Sequence, residues 1–145
     1  MKNRIATSVI SLVLGALAIN GVAFAHGTEQ HGKTAAADAR MKKLHDMMPM
    51  LSVATAKLEA ALEKGDAAEA VVEAGKISAA VTDLKKSKPH KNVKQRKLFV
   101  AQAGSLGAAA ASTADLVKKG DFAGAKVAYK KIEEACADCH AKFRD

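Results

Sequence analysis

CADCH, residues 136–140, contains both cysteines of a 145-residue chain, three positions apart, with a histidine directly behind the second. On a helix, positions 136, 139 and 140 fall within about 100° of one another, so two thiols and an imidazole share one face. Thiols so placed can form thioethers with the two vinyl groups of a porphyrin while the imidazole supplies a nitrogen to iron. C-x-x-C-H is the attachment sequence of c-type haem on these grounds. Two other chemistries compete. A redox C-x-x-C normally opens a helix after a strand, and no stretch here reads as strand. A zinc site would need two further ligands, and His26, His31, His45 and His90 show no paired spacing. As a plain disulfide the pair would staple little, because so short a loop removes little unfolded-state entropy.

The elements that must carry this motif are helical. Met41, Leu44, Met48, Leu51, Thr55, Leu58 and Leu62 recur at three- and four-residue steps, which puts them on one face. Lys64-Gly65-Asp66 ends that run, with Gly able to stop one helix and Asp able to cap the next. Ala67, Val71, Ala74, Ile77, Val81 and Leu84 continue the period until SKPHKN, where Pro89 breaks it. A third helix is predicted from about Val93 to Lys119, with Phe99, Gln102, Leu106, Ala109, Thr113 and Leu116 on its face. A second Lys-Gly-Asp, at 119–121, leads into a fourth from Phe122 through Tyr129, Ile132 and the motif to Phe143. Within the first helix, Pro49 removes the bond to the His45 carbonyl, so a kink or a restart is expected there.

Four helices with short turns favour an all-α, antiparallel up-down-up-down four-helix bundle. In that topology the start of the first helix, the connection between the second and third, and the end of the fourth share one pole. His140 lies 19 residues beyond Asp121. The same descent reaches Leu44, Lys85 and Phe99 on the other helices.

The N-terminal stretch has Lys2 and Arg4, an uncharged apolar run and then Ala23-Phe24-Ala25. That is the layout of a secretory signal peptide, residues 1–25, and it implies export to the periplasm with no stable membrane span after cleavage. Residues 26–37 read as a flexible leader and 38–145 as the bundle domain. Without Lys2 and Arg4 the net charge falls from +8 to +6. Predicted export, no Trp and a single Tyr argue against a nucleic-acid partner. Aromatics are 3% of the chain, so the core is built from Ala, Leu, Val and Met, and a large cofactor would supply the missing bulk.

CADCHAKFR resembles the C-terminal Cys-x-x-Cys-His-x-x-aromatic-Arg of the class II cytochromes c, the cytochrome c′ family with its low-spin relatives. The resemblance implies one covalent haem c on Cys136 and Cys139, His140 as proximal iron ligand, and often a homodimer. It also implies a fork. Low-spin members carry electrons with a Met sulfur on the far side of the iron, whereas high-spin members leave that side to an apolar group and bind nitric oxide or carbon monoxide. Counting back from Gly65 as the family does selects Met48 as the distal ligand, with Met41 a rival. The family's Arg one turn before the distal residue is absent for Met48, whereas Arg40 has that spacing to Leu44, a non-ligand. The leading expectation is a non-enzymatic one-electron carrier. The alternatives are a five-coordinate gas binder and a haem-free helical interaction module with a thiol pair.

Lys85–Lys97 carries seven positive charges and no acidic residue. Some of these, or Arg40 and Arg144, could neutralise haem propionates. The rest would form a collar that meets acidic redox partners.

Overall fold

The computed structural model describes residues 35–144, with side chains from Ala39 onward. The expected signal peptide and the leader up to residue 34 lie outside the described residues. The four helices are α1 (Ala35–Lys64), α2 (Ala67–Lys86), α3 (Arg96–Lys118) and α4 (Phe122–Phe143). The last three residues assigned to the leader are thus helical backbone. Each helix packs on its chain neighbour, and α4 closes the ring on α1 through a much sparser seam. This is the expected four-helix bundle.

The two Lys-Gly-Asp turns are built alike, for the reason their residue types suggest. Gly65 and Gly120 take φ of +71° and +78°, which a β-carbon would oppose. Asp66 then accepts from the Glu69 amide at 3.0 Å and Asp121 from the Gly124 amide at 2.8 Å, capping α2 and α4. Pro49 does not restart the helix: α1 runs through it without a break. The proline is exposed, so water can serve the His45 carbonyl it leaves unpaired. α3 starts at Arg96, later than expected, because Asn92 turns the chain at φ +54°.

Leu58, Ile77, Phe99, Val117 and Ile132 form the fully enclosed centre, each burial contributing about 1.5–3 kcal/mol. Alanines fill most of the rest and let helices approach closely; a β-carbon on Gly107 of α3 would meet Val81 of α2 at 3.1 Å. The apolar face of α3 differs from the expected one. Ala103 and Val117 are buried where Gln102 and Leu116 are only half-buried. On α2, likewise, Ala70 takes the place expected for Ala67. Thr55 and Thr113 sit on the apolar stripes because each hydroxyl donates to the carbonyl four residues back, Leu51 and Ala109, at 2.8 and 2.9 Å. Glu73, buried on α2, is held by Lys76 at 2.5 Å.

Arg96 closes the α2–α3 connection. Its guanidinium donates to the carbonyls of Lys85 and Ser87, the otherwise orphaned end of α2, and its carbon lies 5.4 Å from the Phe99 ring centre. Arg96→Ala should cost about 2 kcal/mol, or roughly 8 °C in Tm, in a thermal scan. Arg96→Lys should not restore it, because one ammonium lacks the fork that spans two carbonyls.

Lys43 on α1 pairs with Asp83 on α2 at 2.9 Å, both well exposed. The Lys43 ammonium, by hydrogen bond and charge, holds the Asp83 carboxyl below its ordinary value, against a small opposing desolvation. A depressed carboxylate stabilises above its unfolded-state value and loses that contribution as pH falls through the folded one. Lys43→Ala should therefore lower Tm slightly at neutral pH. Wild type and variant should converge below about pH 3 and in about 1 M salt.

Candidate functional site

α4 delivers CADCH to the pole where the α2–α3 connection crosses. The end of α4 is bound to that connection at three points. His90 and Lys91 amides donate to the Phe143 carbonyl at 3.1 and 3.2 Å, and the Asn92 side-chain amide donates to the Lys142 carbonyl at 2.6 Å. Phe143, the aromatic of the terminal motif, is buried edge-on against Phe99 of α3, centroids 5.2 Å apart at 81°. The helix end that carries the motif is therefore anchored on both backbone and side chain.

The antiparallel register of α1 and α4 can be read from one contact. The Tyr129 hydroxyl donates to the Thr55 carbonyl at 3.4 Å. Lys126 meets Glu63 at 2.9 Å further toward the opposite pole. Eleven residues on from Tyr129 is His140, and eleven back from Thr55 is Leu44. The same step puts Cys136 level with Met48, and Arg144 level with Arg40. Counted from the Tyr129 contact this agrees with the level expected from the sequence, one helical turn from Met48; counted from the Lys126–Glu63 pair, whose side chains are long, His140 falls level with Pro49 instead.

Met41, Leu44 and Met47 are buried on α1, while Met48 and Leu51 are half-buried at the margin of the core. Cys136 and Cys139, as free thiols, pack against that same core from α4, also half-buried. Burial pushes both thiols up, with the Glu133 charge adding at Cys136 and Cys136 itself adding at Cys139. His140 is exposed; partial desolvation first, and the Arg144 charge second, pull its imidazole below the ordinary value. A neutral imidazole keeps a nitrogen lone pair for a metal. Tyr129, further up the seam, is pushed up to about 12 by burial and then by the Glu59 and Glu133 charges, so it stays a neutral phenol.

These residues fit a haem. Two thiols and a neutral imidazole stand at i, i+3 and i+4 on one helix, beside the seam where the bundle is least tightly packed. Arg40 and Arg144 are both exposed at the lower end of that seam.

His45 is exposed, and its ring meets His90 edge-on at 4.8 Å between centroids, joining α1 to the connection. The basic cluster is sorted by the structure. Arg96 is committed to α2's carbonyls, and the half-buried Lys85 lies across Gly104 of α3. Lys86, Lys91, Lys94 and Lys97 are exposed. Three things were beyond sequence reasoning: the Arg96 fork, the Phe99–Phe143 clamp and the His45–His90 contact. Only the aromatic in CADCHAKFR hinted at any of them.

Among the described helices, none is long and apolar enough to cross a membrane. The family model described as Cytochrome C' matches residues 81–144, which span the end of α2, the connection, α3 and all of α4 with CADCH. No curated protein and no solved structure matches the chain. The matched segment, the four-helix ring and the motif in its last helix agree: over residues 81–144 this chain is similar to the cytochrome c′ family of c-type haem proteins.

Proposed function

We propose that the chain is a periplasmic monohaem c-type cytochrome that exchanges one electron at iron and does no bond chemistry on a substrate. Cys136 and Cys139 would hold the porphyrin covalently, and His140 would ligate the iron. When bound, the haem supplies a reversible one-electron change tuned by axial ligand and burial. The observation that carries the reading is the set of two half-buried free thiols and an adjacent exposed imidazole on the anchored end of α4. Arg40 and Arg144, level with one another, would meet the propionates. The buried α1 stripe would exclude water from the other side.

The register favours a second property of the same site. Leu44, buried and level with His140 when counted from the Tyr129–Thr55 contact, offers the iron no donor atom. Met48 stands one turn higher, level with Cys136. A five-coordinate iron opposite Leu44 would bind carbon monoxide or nitric oxide as well as exchange electrons.

Absorption spectra of the exported protein, oxidised, reduced, and reduced under carbon monoxide, test both. Haem that survives acid-acetone extraction at one per chain is expected, with a carbon monoxide shift. Polypeptide free of haem would defeat the whole reading; haem with no carbon monoxide response would defeat the second property alone.

A further inference from the structure

The pole that carries CADCH is unlike the opposite one in charge. At the far end, Lys126 is bound to Glu63 and Lys118 to Asp115, with Asp66 and Asp121 capping helices. At the near end, Asp46 and Asp83 are already bound to Lys42 and Lys43, which leaves Asp138 within the motif and Glu133 and Glu134 about a turn above it on α4, away from the α2–α3 connection at the end of that helix. Lys86, Lys91, Lys94, Lys97, Lys142 and Arg144 are exposed there. Most of an interface needs more than charge: protein-binding faces combine an apolar centre with a polar rim. Val93 and Leu98, two of the few large apolar side chains on this surface, are 45% and 36% exposed between these lysines. The backbone beneath them is held to α4 by Asn92 and by the His90 and Lys91 amides, so the face is presented rigidly beside the motif.

We propose that the α2–α3 connection, joined to the end of α4, docks an acidic electron-transfer protein. Val93 and Leu98 form its apolar centre, and Lys91, Lys94, Lys97 and Lys142 its positive rim. The inference rests on the one-electron function above and names its partner class. One electron passes per encounter; the reduced partner loses it, the holoprotein gains it, and no bond is made. A membrane surface fits less well, because the connection is not an amphipathic helix and carries no aromatic anchor.

The test uses a reduced plant-type [2Fe–2S] ferredoxin, an acidic protein, as probe in stopped-flow reduction of the oxidised holoprotein. The second-order rate constant should fall about tenfold or more between low and physiological-to-high salt. Lys91→Glu/Lys94→Glu/Lys97→Glu should lower the low-salt value by about tenfold and flatten the salt dependence. Val93→Ser/Leu98→Ser should lower it at every salt concentration. Amide chemical shifts on adding oxidised ferredoxin, which need no electron transfer, should move in residues 86–98 and at the end of α4.

A salt-independent rate overturns the proposal. So does an equal loss from Lys64→Glu/Lys118→Glu/Lys119→Glu at the far pole, which would reduce the effect to net charge. An unaltered rate in the serine pair removes the apolar centre. If the glutamate variant instead loses binding to phosphatidylglycerol vesicles while its ferredoxin rate holds, the face belongs to lipid and the proposal fails. Haem content and dithionite reduction, read on each preparation, report on the function itself. Holoprotein that dithionite reduces and ferredoxin ignores fails docking only.

Discussion

Cys136→Ser/Cys139→Ser, exported with full maturation machinery, should emerge without covalent haem, its intact mass that of the bare polypeptide. Each single variant should keep at most one thioether and lose haem on harsh extraction in a fraction of chains. The thiols are half-buried at the edge of the core, and serine at these positions changes volume little, so the bundle should still form. What disappears is the tether. Anything bound only to the folded state stabilises it in proportion to the logarithm of its occupancy, and a covalent link keeps occupancy complete. Tm should therefore fall well beyond the loss from the Arg96 variant. His140→Ala separates attachment from ligation: it should retain the mass of haem and change the spectrum. A double variant that still carried the full added mass would refute covalent attachment at CADCH.

Much of this arrangement is legible in the residues, for reasons that differ from place to place. The Lys-Gly-Asp turns were readable because a left-handed position and an N-cap each demand a narrow set of residue types, and both sites supply them. The level of the motif was readable because antiparallel helices with short turns leave little freedom in register. Helix phase was less so. In α3, GAAAAS offers small residues on every side, so nothing bulky in that stretch distinguishes the face of Gln102 and Leu116 from that of Ala103 and Val117. Contacts across the connection were not readable at all. Arg96 stands among lysines of the same charge, and only its reach to two carbonyls distinguishes it from them. Pro49 misled in one direction, since a missing hydrogen bond on the solvent side need not interrupt a helix.

The distal side of the iron shows the same limit most sharply, and it is open to a clean exchange. Counting back from Gly65 follows a single helix for most of its length, so any difference in helix length between relatives shifts the answer. Counting from the Thr55–Tyr129 contact measures level across the two helices that would face the porphyrin, over a shorter distance. The first route selects Met48 and the second Leu44. Leu44→Met should convert a five-coordinate, carbon monoxide-binding protein into a low-spin one whose carbon monoxide affinity drops at least about tenfold, as a thioether occupies the open position. Met48→Leu should leave the spectrum as it was. Both swaps nearly conserve volume and should cost less than about 1.5 kcal/mol, so misfolding does not cloud either result. Leu44 is buried and Met48 half-buried, which makes the first swap the more sensitive to packing; the crossed variant Leu44→Met/Met48→Leu controls for that. If wild type is already low-spin and Met48→Leu opens it to carbon monoxide, the sulfur of Met48 is the ligand. The one-turn offset read from the register would then have been taken up by tilt between α1 and α4, and the protein would be an electron carrier without gas chemistry.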